Sequence, residues 1–152
     1  MSLKYESLKF SEELRKRINA NKEYREKSKG VNWKTLFVVK DVPFAIISTY
    51  VDGEFVERKH VPASEIEETR KKVDFTVEIP TYDLSIEVAT GRKSLESLFL
   101  SRMLKLEGSI FKAMQYRGAI EAAGKIAAEF VSKSAIPSKE DFMKMLKDRG
   151  LL

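Results

Sequence analysis

The segment Met103–Met114, MLKLEGSIFKAM, changes its hydrophobic period at a single glycine. After the Met103-Leu104 pair, apolar and polar residues alternate up to Glu107, which is the two-residue period of a strand. Beyond Gly108 the apolar residues come too thickly for a strand and continue for about twenty positions, the density of a helix packed on a core. A chain that passes from strand to long helix through one glycine lays that helix close against its sheet. The remaining residues must supply the rest of that sheet and its cover.

Residues 11–29 read as helical, with Ser11 as a cap and Leu14 and Ile18 four apart on one face. Asn21 predicts a break and restart before KEYREK, and Gly30 ends the segment. WKTLFVVK and FAIISTYV are strand-like runs joined by Asp41-Val42-Pro43, and both are apolar on each face, which signals burial on both sides. Asp52-Gly53 predicts a hairpin into the half-polar strand EFVERKHV. SEIEETRKK reads as a short charged turn or helix after Pro62. DFTVEIP alternates cleanly and stops at Pro80. Thr81 and Ser94 are caps for two short helices, TYDLSIEVATG and SLESLFLS. The long helix is expected from Ser109 to Ser132, and a last capped helix starts after Ser138. Strands dominate the first half and helices the second. The expected fold is therefore α+β, a mainly antiparallel five-stranded sheet with helices packed on one face.

Composition removes several classes of function. The 152 residues contain no cysteine, which excludes disulfides, thiolate metal sites and a cysteine nucleophile. The single histidine, His60, excludes any site that needs two imidazoles and reads as a surface or strand-end residue. No apolar run approaches the ~20 residues of a membrane span, and the mixed polar start MSLKYESLKF does not read as a signal peptide. One glutamine, three asparagines and a Lys/Glu-rich surface resemble a thermophile's composition. Together these features favour the cytoplasm. The net charge is +5, with +4 in residues 1–31, −3 in 32–100 and +4 in 101–152. Acidic and basic residues interleave throughout and no nucleic-acid module accompanies them, so nucleic acid is not an expected partner. The basic ends, with Arg15-Lys16-Arg17 in the first helix, predict transient docking on anionic membrane surfaces.

On the long helix Ala113, Tyr116, Ala119, Ile120, Ala123, Ile126, Ala127, Phe130 and Val131 share one broad face. Ile110, Phe111 and Met114 fall off that stripe and need a second apolar partner: a ligand, another protein chain or the C-terminal helix. Ala119, Ala122, Ala123 and Gly124 allow either close helix packing or an empty space. Phe75, Val77 and Ile79 form one strand face and Leu104 and Leu106 another, suited equally to a plain core and to a cavity wall. Asp83 and Glu87, four apart, read as a solvated helix face rather than an acid–base pair. Gly91-Arg92-Lys93 reads as a basic helix-ending turn. No nucleophile–base–orienter set is visible, and no cofactor or metal is expected.

Several of these parts, in this order, resemble the sterol carrier protein type 2 family of lipid-carrier domains. ELRKRINANKEYREK is similar to its N-terminal segment of helix, Asn, x-x-Tyr-Arg, and YVDGEF resembles its hairpin. DFTVEIPTYDLSIEVATGRKSLESLFLSRMLKLEGSIFKAM resembles its strand, two helices and glycine-flanked last strand. Arg102 stands where that strand's first glycine is usual, and Ser109 where an acidic residue is usual. The resemblance covers about residues 10–131. It implies one lipid-binding domain over 1–134, with 135–152 as a helical extension of it. It further implies an apolar tunnel for a fatty acid, acyl-CoA, or sterol-like or isoprenoid lipid. The residues then expected at the ligand are Phe75, Val77, Ile79, Leu98, Leu104, Leu106, Ile110, Phe111 and Met114. The alternatives are an enzyme or accessory domain for a lipid-linked or acyl-CoA substrate, and a homodimeric interaction module.

Overall fold

A computed structural model describes residues 3–152. Two helices, α1 (Leu8–Ala20) and α2 (Lys22–Lys27), precede the meander β1 (Trp33–Val39), β2 (Phe44–Val51) and β3 (Glu54–Val61). A short turn of 3-10 helix leads into α3 (Ile66–Arg70), then β4 (Phe75–Ile79), α4 (Tyr82–Ala89) and α5 (Leu95–Leu100). β5 (Lys105–Gly108), α6 (Ile110–Gln115), α7 (Arg117–Ser132) and α8 (Lys139–Asp148) complete the chain. The expected caps form: backbone amides of Tyr24, Leu84, Ser97 and Asp141 donate to Asn21, Thr81, Ser94 and Ser138. Ser11 does not cap, because α1 begins at Leu8 and leaves it inside the helix.

The five strands lie in the order β3-β2-β1-β4-β5. Three of the four pairings are antiparallel, as expected of a mainly antiparallel sheet, but β1 and β4 are parallel, so the sheet is mixed. The parallel pair is not legible in the sequence because a doubly apolar strand shows burial on both faces and not the sense of its neighbour. Asp74 sets the parallel register: its carboxylate accepts from the Lys34 amide at 2.8 Å, and its own amide donates to the Lys34 carbonyl at 2.9 Å. Nor do helices occupy one face alone. Ile66 of α3 joins Leu36, Val38, Ala45 and Val61 in a small cluster on the opposite face.

The strand-to-helix join depends on Gly108, whose φ is +102°. A Cβ there would run into the Asp74 carbonyl oxygen, and that same oxygen accepts from the Ser109 amide at 3.0 Å. Ser109 then caps α6 through the Lys112 amide. Arg102 keeps the left-handed turn at φ +60° that a glycine would adopt more readily. The expected single helix over 109–132 is two helices. The break falls at Tyr116, whose ring packs edge-on against Trp33 at 5.2 Å, so that α6 is a separate short element.

The C-terminal residues are part of the main core. Phe142 of α8 is fully buried among Tyr5, Phe44 and Tyr82, with ring centroids 4.8–6.0 Å away. The Tyr82 hydroxyl donates to the Pro137 carbonyl at 2.8 Å, and the Ala63 amide donates to the Leu151 carbonyl at 2.8 Å.

Candidate functional site

Strand register lays side chains in rows across the helix-facing side of the sheet. One row is apolar apart from its end: Phe37, Ile46 and His60, continued by Val77 on β4. The next is polar: Thr35, Ser48 and Arg58. The third holds Trp33, Tyr50 and Phe55. Phe55 and Arg58 are three apart and in a regular strand would face opposite ways. A bulge beside the Thr49/Tyr50 pair inserts an extra residue in β3 and turns both inward.

Thr35, Phe37, Ser48 and Tyr50 stay only half-buried although they lie on the inner strands. The reason is the helix above them. The side of α7 that faces the sheet carries Ala119, Ala123 and Ala127, which leave a gap instead of filling it, and the exposed Gly124 borders its edge. A Cβ added to Gly124 would meet nothing within 4 Å. The gap is a cavity of about 310 Å³, at the small end of the range for ligand pockets. Phe10, Leu14 and Ile18 of α1 close one side, Val88, Ala89 and Leu95 another, and Trp33, Phe75 and Tyr116 one end.

A charged cluster meets this apolar wall at Arg58. Its Nη1 and Nη2 donate to the two Glu6 carboxylate oxygens at 2.6 and 2.7 Å, and Nη1 also donates to Ser11 Oγ at 2.6 Å. The His60 Nε2–H donates to Glu6 at 3.2 Å, while its Nδ1 accepts from Arg149 at 2.8 Å. Arg149 also donates to the Glu6 backbone carbonyl at 2.7 Å. The Glu6 side chain is 1% exposed. Burial by itself would raise its carboxyl, but attraction and hydrogen bonds from Arg58 and His60 outweigh it and hold the group at about 2. Burial pushes the Tyr50 phenol up, partly offset by the nearby Arg58 charge.

Of the nine residues expected at a ligand, Phe75 and Val77 line the cavity. Ile79 and Leu98 are fully buried in the core, and Leu104 and Leu106 pack around it, but these four do not reach the cavity wall. Ile110, Phe111 and Met114 do not line it either: Phe111 and Met114 are 78% and 72% exposed, because the break at Tyr116 carries α6 out of the α7 stripe. They are not covered by the C-terminal helix, which docks against Tyr5 and Phe44 instead.

Residues missed at the sequence level include Glu6 and Arg58, 52 positions apart, and Arg149. His60 stands at the end of β3, one of its two expected places, but not at the surface; 7% of its side chain is exposed. Arg15 reaches the Phe55 carbonyl, Lys16 pairs with Glu12 and Glu13, and Arg17 lies over Phe130, so these three do not form a free basic cluster. Asp83 is exposed and Glu87 pairs with Lys93.

The fold is a helix-backed mixed sheet with an apolar cavity between the two layers. The SCP-2 sterol transfer family matches residues 12–121, and the chain belongs to that family. A crystal structure of sterol carrier protein 2 superimposes with TM-score 0.65 at 21% identity, covering 81% of this chain and 96% of that one. The solution structure of a conserved hypothetical protein from Thermus thermophilus gives TM-score 0.65 at 21% identity, covering 91% and 97%. The apo form of sterol carrier protein 2 from Yarrowia lipolytica gives 0.50 at 20% identity, covering 84% and 98%. No curated protein matches the chain. Two of the quoted motifs meet in space: the Tyr24 hydroxyl donates to the Gly53 carbonyl at 2.7 Å, tying α2 to the β2–β3 hairpin.

Proposed function

We propose that the protein binds the apolar chain of a lipid in the cavity between α7 and the sheet and carries it without chemical change. The carrying observation is the half-buried floor of Thr35, Phe37, Ser48 and Tyr50 beneath the small residues of α7. Each methylene removed from water contributes about 0.8 kcal/mol, so ten contribute on the order of 8 kcal/mol before ordering costs. Affinity then grades smoothly with chain length. Trp33, the only tryptophan, sits in the cavity wall and reports binding directly. Fluorescence titration with acyl lipids of increasing length should give a smooth series, and mass spectrometry of organic extracts should find a co-purified lipid. Binding of one length with rejection of its neighbours would contradict the reading.

The absence of catalysis is part of this reading. The only imidazole is committed to Glu6 and Arg149. Turnover of an acyl-CoA or lipid-linked substrate that vanishes on replacing one acidic residue, with binding intact, would establish the enzyme alternative.

Cargo exchange on an anionic membrane surface belongs to the same reading, but through a different region from Arg15-Lys16-Arg17. Six large apolar side chains between Phe99 and Met114 are exposed; Arg102 lies among them, as do Lys105 and Lys112, which also pair with Glu107 and Asp74. An apolar rim set among cations suits the interface of an anionic bilayer. Co-sedimentation with anionic and neutral vesicles tests it. A salt-resistant dimer lost on Phe111→Asp, without vesicle binding, would favour the homodimer instead.

A further inference from the structure

We propose that lipid enters and leaves the cavity sideways, through a mouth between α7 and the α4–α5 segment at Gly124, with the Arg117–Glu96 ion pair as the clasp across it. The inference rests on the lipid-binding reading and adds the route and what holds it shut.

Arg117, Glu121, Gly124 and Ala128 fall in one row along α7, spaced three and four apart on a single helix edge. The row meets the α4–α5 segment at its two ends. At the first, Arg117 Nη2 donates to Glu96 at 2.8 Å while its Nε donates to Glu121 at 3.0 Å. At the other, about 16 Å further along the helix, Ala128 lies so near Gly91 that a Cβ on Gly91 would come 3.1 Å from its own. Between these contacts stand only Glu121, turned to Arg117, and Gly124, where an added Cβ would meet nothing within 4 Å. Among the described residues that line the cavity, Gly124 alone is exposed, so the cavity reaches the surface at this point. Val88, Ala89 and Leu95 on the facing bank line the cavity and are only half-buried, as is Ile120 beside Gly124. Apolar groups thus border the opening and keep an acyl chain in transit off water. The other edge of α7 is sealed, with Phe130 against Phe10 at 5.1 Å and Ala119 and Ala122 buried. The Arg117–Glu96 pair is more than half exposed, so breaking it costs little and it re-forms readily. It adjoins the apolar rim: Arg117 follows Tyr116 at the end of α6, and Glu96 lies in the helix that carries Phe99 and Leu100.

The test is stopped-flow mixing with dodecanol, an uncharged probe, followed by Trp33 fluorescence. Gly124→Leu sets a side chain in the mouth and should slow association at least about tenfold; circular dichroism checks that this variant folds. Glu96→Gln unlocks the clasp and should speed association and dissociation together by about two- to fivefold, the worth of one exposed ion pair. Glu129→Gln breaks a comparable exposed pair with Lys133, away from the mouth, and should change neither rate. Added salt should speed exchange in the unaltered protein and leave Glu96→Gln unmoved. If Gly124→Leu loses affinity through faster dissociation alone, the leucine fills the cavity and the mouth lies elsewhere, which overturns the proposal and leaves lipid binding standing. Glu96→Gln rates that match those of Glu129→Gln do the same. No Trp33 response to dodecanol in the unaltered protein overturns lipid binding and the proposal together.

Discussion

Where Arg58 meets the cavity, Glu6, His60, Arg149 and Ser11 satisfy one another, and α8 packs its Phe142 against Tyr5 and Phe44 close by. At the Tyr116 end, contacts are aromatic edges and stacks, and α6 projects Phe111 and Met114 into solvent. The first region joins segments from both chain termini and a sheet edge through charges with fixed geometry. The second is held mainly by aromatic surfaces, with a long bond from the Asn32 amide to the Tyr116 hydroxyl at 3.4 Å and the Ser109–Asp74 bond at the start of α6. Non-directional contact can open and re-form at small cost, whereas a buried ion pair separated from its partner leaves a charge without solvent or counterion. On the lipid-carrying reading we propose, cargo exchange belongs at the Tyr116 end and the Glu6 end is the anchor.

The largest expected effect is at the anchor. Glu6→Ala leaves Arg58 buried and unpaired and should cost about 3–5 kcal/mol in urea denaturation. Acid probes the same pair. The folded-state carboxyl lies near 2 against 4.5 for the free group, so its contribution is present above about 4.5 and lost as pH falls toward about 2. The loss amounts to about 3 kcal/mol. Stability curves should show this acid-side decline, and Glu6→Gln should flatten it.

Next comes the join. Gly108→Ala forces a side chain into a positive φ and against the Asp74 carbonyl, and should cost at least about 2 kcal/mol by thermal unfolding. Between the two ends, Gly124→Leu should fill the gap rather than damage the fold. Lipid affinity by Trp33 fluorescence should fall at least about tenfold, with stability changed by less than about 1 kcal/mol. Unchanged affinity would move the ligand out of the cavity.

The smallest stability effect is at the open end. Phe111→Asp with Met114→Asp should alter unfolding by no more than about 0.5 kcal/mol, because neither side chain is packed. The same pair should abolish binding to anionic vesicles, while Arg15, Lys16 and Arg17 changed to Gln should retain most of it. The reverse result would return docking to the N-terminal helix.

The elements were legible in the chain before it folded: the caps at Asn21, Thr81, Ser94 and Ser138, the hairpin at Gly53, the glycine join at Gly108 and the resemblance that the family match upholds. Each depends on residues within a few positions of one another, so local chemistry writes it directly. Long-range packing fixed the parallel β1–β4 pair, the bulge that turns Phe55 and Arg58 to one face, and the break at Tyr116. It also left Gly124 bordering empty space, and it brought Glu6 to Arg58 and Arg149 across 52 and 143 positions. Hydrophobic period reports that a face is buried, but not what lies opposite it. A cavity and a packed core therefore have the same pattern until the chain has closed around one of them.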